Sequence, residues 1–162
     1  LEHRMSTLEV KGIQAPAGFD LQMPAGAILQ VVQGTTTVNT STSSSSWVAT
    51  SLSATITPKF SSSKILVTYS GSMYHYIDTK GASTIYRDST ELTGKTSGVV
   101  RSWQSASRGF FPHGGEYLDS PSSTSAIVYK IYIKKDSGDY TIDYPTGSDI
   151  TRSSITLMEV AG

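Results

Sequence analysis

The residues that could do chemistry in this chain are few and are not arranged for it. Its three histidines, His3, His75 and His113, stand far apart, and none has the spacing to another histidine or to a carboxylate cluster that a metal site needs. Cysteine is absent, and no G-x-S-x-G motif, phosphate-binding loop or dinucleotide fingerprint occurs. With 27 serines, a Ser-His-Asp triad can be drawn in many ways and none is indicated. The sequence therefore predicts no catalytic residue, no metal site and no cofactor.

Acidic side chains suggest two further chemistries, and both have simpler explanations. Glycoside cleavage uses a pair of carboxyl groups, and Glu91, Glu116 and Asp119 are the candidates, but surface or turn positions account for each of them. A calcium site needs several oxygen ligands. Four further acids flank turns: Asp136, Asp139, Asp143 and Asp149. Turn formation explains Asp136 and Asp139 fully. Because each candidate group in the chain has such a simpler role, we expect a protein that is not an enzyme.

The strongest functional signal is an aromatic-rich stretch at residues 96–115. It has little periodicity and is interrupted by glycine and proline, which predicts a long loop, and loops of this length in compact domains are usually functional. Exposed aromatic rings beside arginine suit a surface that binds sugar or protein. The candidate surface-binding residues are Arg101, Trp103, Arg108, Phe110, Phe111 and His113. The alternative is that Phe110 and Phe111 close the end of the domain or a subunit seam.

The elements that must position this stretch are β-strands. In residues 125–135, isoleucine and tyrosine alternate with lysine and tyrosine, which predicts a long strand with one buried face. Further strands are predicted at 27–36, 52–56, 64–76, 83–87, 91–93, 140–144 and 153–160. We expect residues 140–144 to pair with the 125–135 strand, a turn at 78–81, and a bulge or close backbone contact at Gly71.

These signals predict an all-β fold. About eight strands with many turns and no helix indicate a two-sheet β-sandwich, jelly-roll-like, with an immunoglobulin-like topology as the alternative. We interpret residues 1–24 as a cloning remnant, LEHR, followed by an extended N-terminal arm, with a disordered tail as the alternative, and residues 25–162 as the sandwich domain.

The composition excludes two classes of partner. Thirteen basic and thirteen acidic residues balance to zero, so there is no electrostatic footprint for nucleic acid or for an anionic membrane. No apolar run approaches the roughly 18 residues of a membrane-spanning helix, and no signal peptide is visible. Only 16% of residues are charged, while the chain holds nine Tyr and two Trp. Such a surface exposes more apolar area than a monomer of this size should, so we expect a homotrimer.

Four blocks of sequence resemble a module of phage virion appendage proteins. They are PAGAILQVVQG, LSATITPKFSSSKILV, YLDSPSSTSAIVYKIYIK and SSITLMEVAG, and they run in this order between Pro24 and Gly162. The module occurs in tail-fibre-like proteins of marine phages, including phages that infect cyanobacteria, and the start MSTLEVKGIQAP is similar to their short leader. Residues 79–115 resemble the module least, which implies that the host-specific surface lies there. The family carries no catalytic motif and is often trimeric.

The resemblance implies a virion protein, made in the host cytoplasm, that presents loops for attachment to a host-surface glycan or protein. Its partners are then further copies of itself and other virion proteins, without nucleic acid or membrane insertion. Display of several weak sites on one particle strengthens attachment through effective concentration. Two alternatives remain: a head or tail decoration protein that binds only other virion subunits, and a capsular polysaccharide depolymerase.

Overall fold

The computed structural model describes residues 23–138, 141–144 and 152–162. Within these ranges the chain forms eleven β-strands, and it has no helix that is long and apolar enough to cross a membrane. The strands are β1 (Ile28–Thr36), β2 (Thr40–Thr42), β3 (Val48–Ile56), β4 (Lys64–His75), β5 (Thr79–Arg87), β6 (Thr90–Glu91), β7 (Val100–Gln104), β8 (Gly109–Asp119), β9 (Ile127–Ser137), β10 (Ile142–Tyr144) and β11 (Ser153–Val160). The all-β prediction is confirmed.

The strands pair into two antiparallel sheets that pack face to face. Sheet A has the order β1-β11-β4-β8. Past the end of β11, the short strand β10 pairs with the same edge of β4, and β2 pairs with the other edge of β10. Sheet B has the order β3-β9-β5. On the edge of β5 away from β9, β7 pairs with the first half of the strand and β6 pairs with its end. Without the short strands β2, β6 and β10, the orders are β1-β11-β4-β8 and β3-β9-β5-β7, which is the strand order of a jelly roll. The sandwich prediction is confirmed, with eleven strands rather than about eight.

The core lies between the sheets, and strand alternation fills it. On β9 the side chains at 127, 129, 131 and 133 are at most 4% exposed, while the residues between them face outward, as the sequence predicts. The same alternation buries Ile65 and Val67 on β4 and Ile155 and Leu157 on β11. Each such side chain contributes about 1.5–3 kcal/mol relative to an exposed position. The long strands are therefore held by one shared apolar layer.

The predicted loop at 96–115 is wrong. The structure forms β7 and β8 there, joined by a turn at residues 105–108. β8 alternates between the two faces, but its inward positions include His113, Gly115 and Asp119 instead of aliphatic side chains. Period-2 hydrophobicity is therefore missing from the sequence even though the backbone is extended. The ladder to β4, which runs from Ile65 to His75, determines the strand.

Three local predictions have different outcomes. Residues 79–81 lie within β5 and not in a turn, and β10 pairs with β4 and β2 instead of β9. Gly71 does mark a close contact, because a Cβ atom there would lie 2.7 Å from Cζ of Tyr144 and would overlap the hydroxyl groups of Tyr144 and Ser153. The N-terminal arm lies almost wholly outside the described residues, since only Met23 and Pro24 of it fall within them.

Candidate functional site

The fold divides the six predicted binding residues among three places. β7 belongs to sheet B and β8 to sheet A, so Arg101 and Trp103 lie on the outer face of one sheet and Phe110 on the outer face of the other. Alternation along β8 then turns Phe111 and His113 toward the interior. His113 is 1% exposed, so its assignment to a surface patch is wrong. A single patch of all six residues does not form.

The outer face of sheet A carries an aromatic cluster that we call the aromatic surface, formed by Tyr74, Tyr76, Arg108 and Phe110. Phe110 is 61% exposed and stands opposite Tyr74 in the β4–β8 ladder, with ring centroids 4.9 Å apart. Tyr76 meets Tyr74 edge to face at 5.1 Å, and the guanidinium group of Arg108 lies 4.8 Å from the Tyr76 ring centroid. These contacts hold the rings in place while Phe110 remains open to solvent.

An open depression of about 370 Å³ adjoins the aromatic surface. Its lining residues are Ser70, Gly71, Ser72, Phe110, Pro112 and Arg152. Ser72 and Pro112 are cross-strand neighbours on β4 and β8. The depression thus combines an apolar wall, hydroxyl groups and one guanidinium group. Asp143, on β10, is the cross-strand neighbour of Tyr74 on the other side and is not part of the lining.

On the outer face of sheet B, the predicted residues Arg101 and Trp103 already have partners within the chain. Arg101 forms an ion pair with Asp136. The indole Nε1 of Trp103 donates to the carboxylate of Asp78 at 3.3 Å, and the ammonium group of Lys80 lies 5.1 Å from the Trp103 ring centroid. Trp103 is nevertheless 55% exposed, so this face remains a second exposed aromatic position.

The interior beneath the aromatic surface contains two histidines, His75 and His113, that are both hydrogen-bonded to Ser102. Nδ1 of His75 lies 3.0 Å from the carbonyl oxygen of Thr79, and Nε2 lies 2.7 Å from Oγ of Ser102. Because a carbonyl oxygen only accepts, Nδ1 carries the proton and Nε2 accepts from the serine. Ser102 in turn lies 3.3 Å from Nδ1 of His113, and Phe111 packs edge to face on His75 at 5.3 Å. Ser102 therefore links the two sheets.

Both histidines are held neutral by their surroundings. The pKa of His113 is lowered to about 4, chiefly by burial and also by the neighbouring His75, while a contact with the Val100 backbone opposes the change. Burial also lowers the pKa of His75, against the opposing bond to Thr79. Nε2 of His113 has no hydrogen-bond partner among the described residues. A neutral, buried histidine pair of this kind packs the core and does not contact a ligand at the surface.

The candidate carboxylates do not form a catalytic pair. Asp119 is buried and binds Nη1 of Arg87 through both oxygens at 2.9 Å, and it accepts the hydroxyl of Tyr129 at 2.7 Å. Glu116 points outward from the opposite face of the same strand. Glu91 is occupied by nearby hydroxyl and backbone donors; burial raises its pKa, but these bonds outweigh burial and hold the pKa below its usual value. Within the described ranges no three His, Asp or Glu side chains could hold a metal ion.

Sequence reasoning missed the lining residues Ser70, Ser72 and Pro112, and it missed the three larger side chains of this region: Tyr74, Tyr76 and Arg152. Tyr74 precedes His75 on β4 and Tyr76 directly follows the end of the strand, so burial of the histidine places both rings on the outer face. That alternation was readable in the sequence. Nothing local marks Arg152, which reaches the depression because β11 begins beside Ser70 on β4.

A functional assignment for this chain depends on the geometry of the surface. No protein-family model matches the chain, and no curated protein matches it significantly. The most exposed aromatic side chain in the candidate stretch, Phe110, adjoins a depression that carries polar groups. The aromatic surface and this depression are therefore the candidate binding site.

Proposed function

We propose that this chain is a non-enzymatic domain of a phage virion appendage that attaches the particle to a host-surface glycan through the aromatic surface. One observation carries the proposal: Phe110 is 61% exposed yet held beside Tyr74 at the edge of a depression. A large apolar ring kept in water by a rigid strand favours a binding role. Jelly rolls occur in viral capsid and lectin domains, but fold alone does not decide function.

Attachment through weak sites is stronger when several copies of the domain are displayed together. The outer face of sheet A supports such an assembly, and we propose a homotrimer. Four apolar side chains line up across its strands through the register of the ladders, and we call them the apolar row: Val31, Met158, Leu66 and Leu118. Val31 is 56% exposed and Leu118 51% exposed. Burial of this row against other copies removes it from water. The row meets β8 at Leu118, at the opposite end of the strand from Phe110, so the aromatic surface stays accessible in such an assembly.

Light scattering tests the assembly. We expect a mass three times that of the 17.3 kDa chain, and we expect Leu118→Lys to shift it toward the monomer. Thr55→Lys, an exposed position on β3 of the other sheet, is the matched control and should leave the trimer intact. A monomeric wild-type protein at micromolar concentration contradicts this part of the proposal.

Binding to a panel of bacterial surface polysaccharides tests the attachment. We expect the wild-type protein to bind at least one of them, and Phe110→Ala to weaken binding at least about tenfold. Trp103→Ala removes a ring of similar exposure from sheet B and should have little effect. Loss of binding in Trp103→Ala alone would move the site to the other sheet, and no binding at all would favour the decoration protein. Release of new reducing ends from a bound polysaccharide would favour the depolymerase.

A further inference from the structure

We propose that the depression beside Phe110 binds an acidic sugar, with Arg152 holding the carboxylate and the Phe110 ring packing on the sugar ring. This inference rests on the proposed attachment function and specifies the class of glycan that the site takes.

The first argument is that Arg152 stands apart from the other described arginines. Arg87 pairs with Asp119 and Arg101 with Asp136, and Arg108 lies over an aromatic ring. Arg152 is exposed and takes part in no ion pair or ring contact with the described part of the chain. It nevertheless lines the depression. Its guanidinium group is therefore available to a ligand.

The second argument is that none of the described residues that line the depression carries a competing negative charge. The other lining residues are two serines, a glycine, a proline and Phe110. Asp143 lies beside Tyr74, outside the lining. A guanidinium group that meets no carboxylate among the described lining residues attracts an anion, and its planar fork binds a carboxylate through two parallel hydrogen bonds.

The third argument comes from the rest of the lining, which distinguishes an acidic sugar from a simple anion. Phe110 and Pro112 form an apolar wall that suits the C–H face of a sugar ring. Ser70 and Ser72 lie on the outward face of β4, and a hydroxyl group both donates to and accepts from sugar hydroxyls. Inorganic phosphate would leave the wall uncovered, and a neutral sugar would leave Arg152 without an anion. A volume of about 370 Å³ is at the small end of ligand sites, and the open side leaves room for a longer chain to continue.

The test uses pairs of ligands that differ only at the carboxyl group. Oligomers of galacturonic, glucuronic and mannuronic acid are titrated calorimetrically into the intact protein, each beside its carboxyl-reduced neutral counterpart. We expect at least one acidic oligomer to bind at least about tenfold more tightly than its neutral counterpart, with the difference shrinking at high salt. Inorganic phosphate at equal ionic strength should not compete.

Variants of Arg152 and Phe110 test which side chains produce the tighter binding of the acidic oligomer. Arg152→Gln should bring the acidic oligomer to the affinity of the neutral one, while Arg152→Lys should retain part of the preference. Phe110→Ala should weaken both ligands. Arg101→Gln is the matched control, since Arg101 is already paired on the other sheet, and it should change neither. Arg152 is exposed, so its variants should keep the wild-type melting temperature.

The outcomes separate this inference from the function it rests on. Equal binding of acidic and neutral oligomers overturns the acidic-sugar inference and leaves the attachment function standing. An acidic preference that survives Arg152→Gln also overturns the inference, because another cation then holds the carboxylate. Failure of every oligosaccharide and every polysaccharide to bind overturns both proposals.

Discussion

The hydroxyl group of Tyr129 donates a hydrogen bond of 2.7 Å to the carboxylate of Asp119, and this bond joins the two sheets at one end of the sandwich. Tyr129 lies on β9 of sheet B, and Asp119 ends β8 of sheet A. Arg87, on β5, binds the same carboxylate. Burial raises the pKa of Tyr129 and its bond to Asp119 adds to the change, so the hydroxyl remains a donor throughout the physiological range.

Tyr129→Phe removes this donor and leaves the buried carboxylate with Arg87 alone. We expect the free energy of unfolding to fall by about 1.5–3 kcal/mol, the range for hydrogen bonds to charged groups. Tyr132→Phe is the matched control, since its ring stacks on Tyr86 on the outer face, and it should change stability by less than about 0.5 kcal/mol. Denaturant unfolding measures both. Equal losses would show that the bond between the sheets contributes nothing specific.

The two faces of β9 should differ in their sensitivity to truncation. Ile131 is fully buried, so Ile131→Ala leaves a cavity and should cost about 2–5 kcal/mol. Lys130 is the preceding residue and faces outward, so Lys130→Ala should cost under about 1 kcal/mol. Urea titration of the two variants side by side decides the point. Greater damage from Lys130→Ala would mean that the outer face is buried in the assembled protein.

Gly71 should not tolerate a methyl group. A Cβ atom there overlaps the hydroxyl groups of Tyr144 and Ser153, so Gly71→Ala should destabilise the protein by about 1–3 kcal/mol through overpacking. At Gly109 the nearest atom to an added Cβ is the end of a flexible glutamine side chain, at 3.2 Å. Gly109→Ala should therefore stay within about 0.5 kcal/mol of wild type. Similar melting temperatures for the two variants would contradict the close contact.

Stability should fall as the pH drops from neutral, because His113 is buried in its neutral form. Its pKa is about 4 in the folded protein, against 6.5 for an unperturbed histidine. The unfolded chain therefore binds more protons between these values, and the free energy of unfolding decreases as pH falls through this window. Between pH 6.5 and 4 the loss for this residue amounts to about 3 kcal/mol. His75 acts in the same direction.

The free energy of unfolding, measured at pH 7 and at pH 5, reports mainly on histidine protonation. Carboxyl groups with ordinary or lowered pKa values titrate mostly below this range. Wild type should lose more stability over this interval than His113→Asn, by about 2 kcal/mol. The asparagine retains a polar side chain but does not titrate. The same pH dependence in both proteins would show that His113 is not the titrating group.

The sequence alone determined the fold class and the identity of several core residues. The prediction for residues 153–160 matches β11, and the buried face of β9 is the face that alternation indicates. Period-2 patterning is a local property, because neighbouring side chains on a strand point to opposite faces whatever the strand pairs with. Where aliphatic residues fill the inward positions, the local sequence is sufficient.

β8 shows where local sequence is insufficient. Its inward face includes His113 and Gly115, and the space at Gly115 is filled by Val99 and Tyr69, which come from elsewhere in the chain. The volume of the core is shared among strands, so a strand whose neighbours supply the bulk needs no hydrophobic pattern of its own. The aromatic content of this stretch was visible, but its extended conformation depends on the ladder to β4.

Only the tertiary structure decided the candidate site. Trp103 and Phe110 are close in sequence yet lie on different sheets, while Tyr74 and Phe110 are distant in sequence and in contact. Strand pairing and register are non-local, because backbone hydrogen bonds form equally well with many partners and only the packed core selects among them. The residue types were therefore present in the sequence, and the fold determined which of them share a surface.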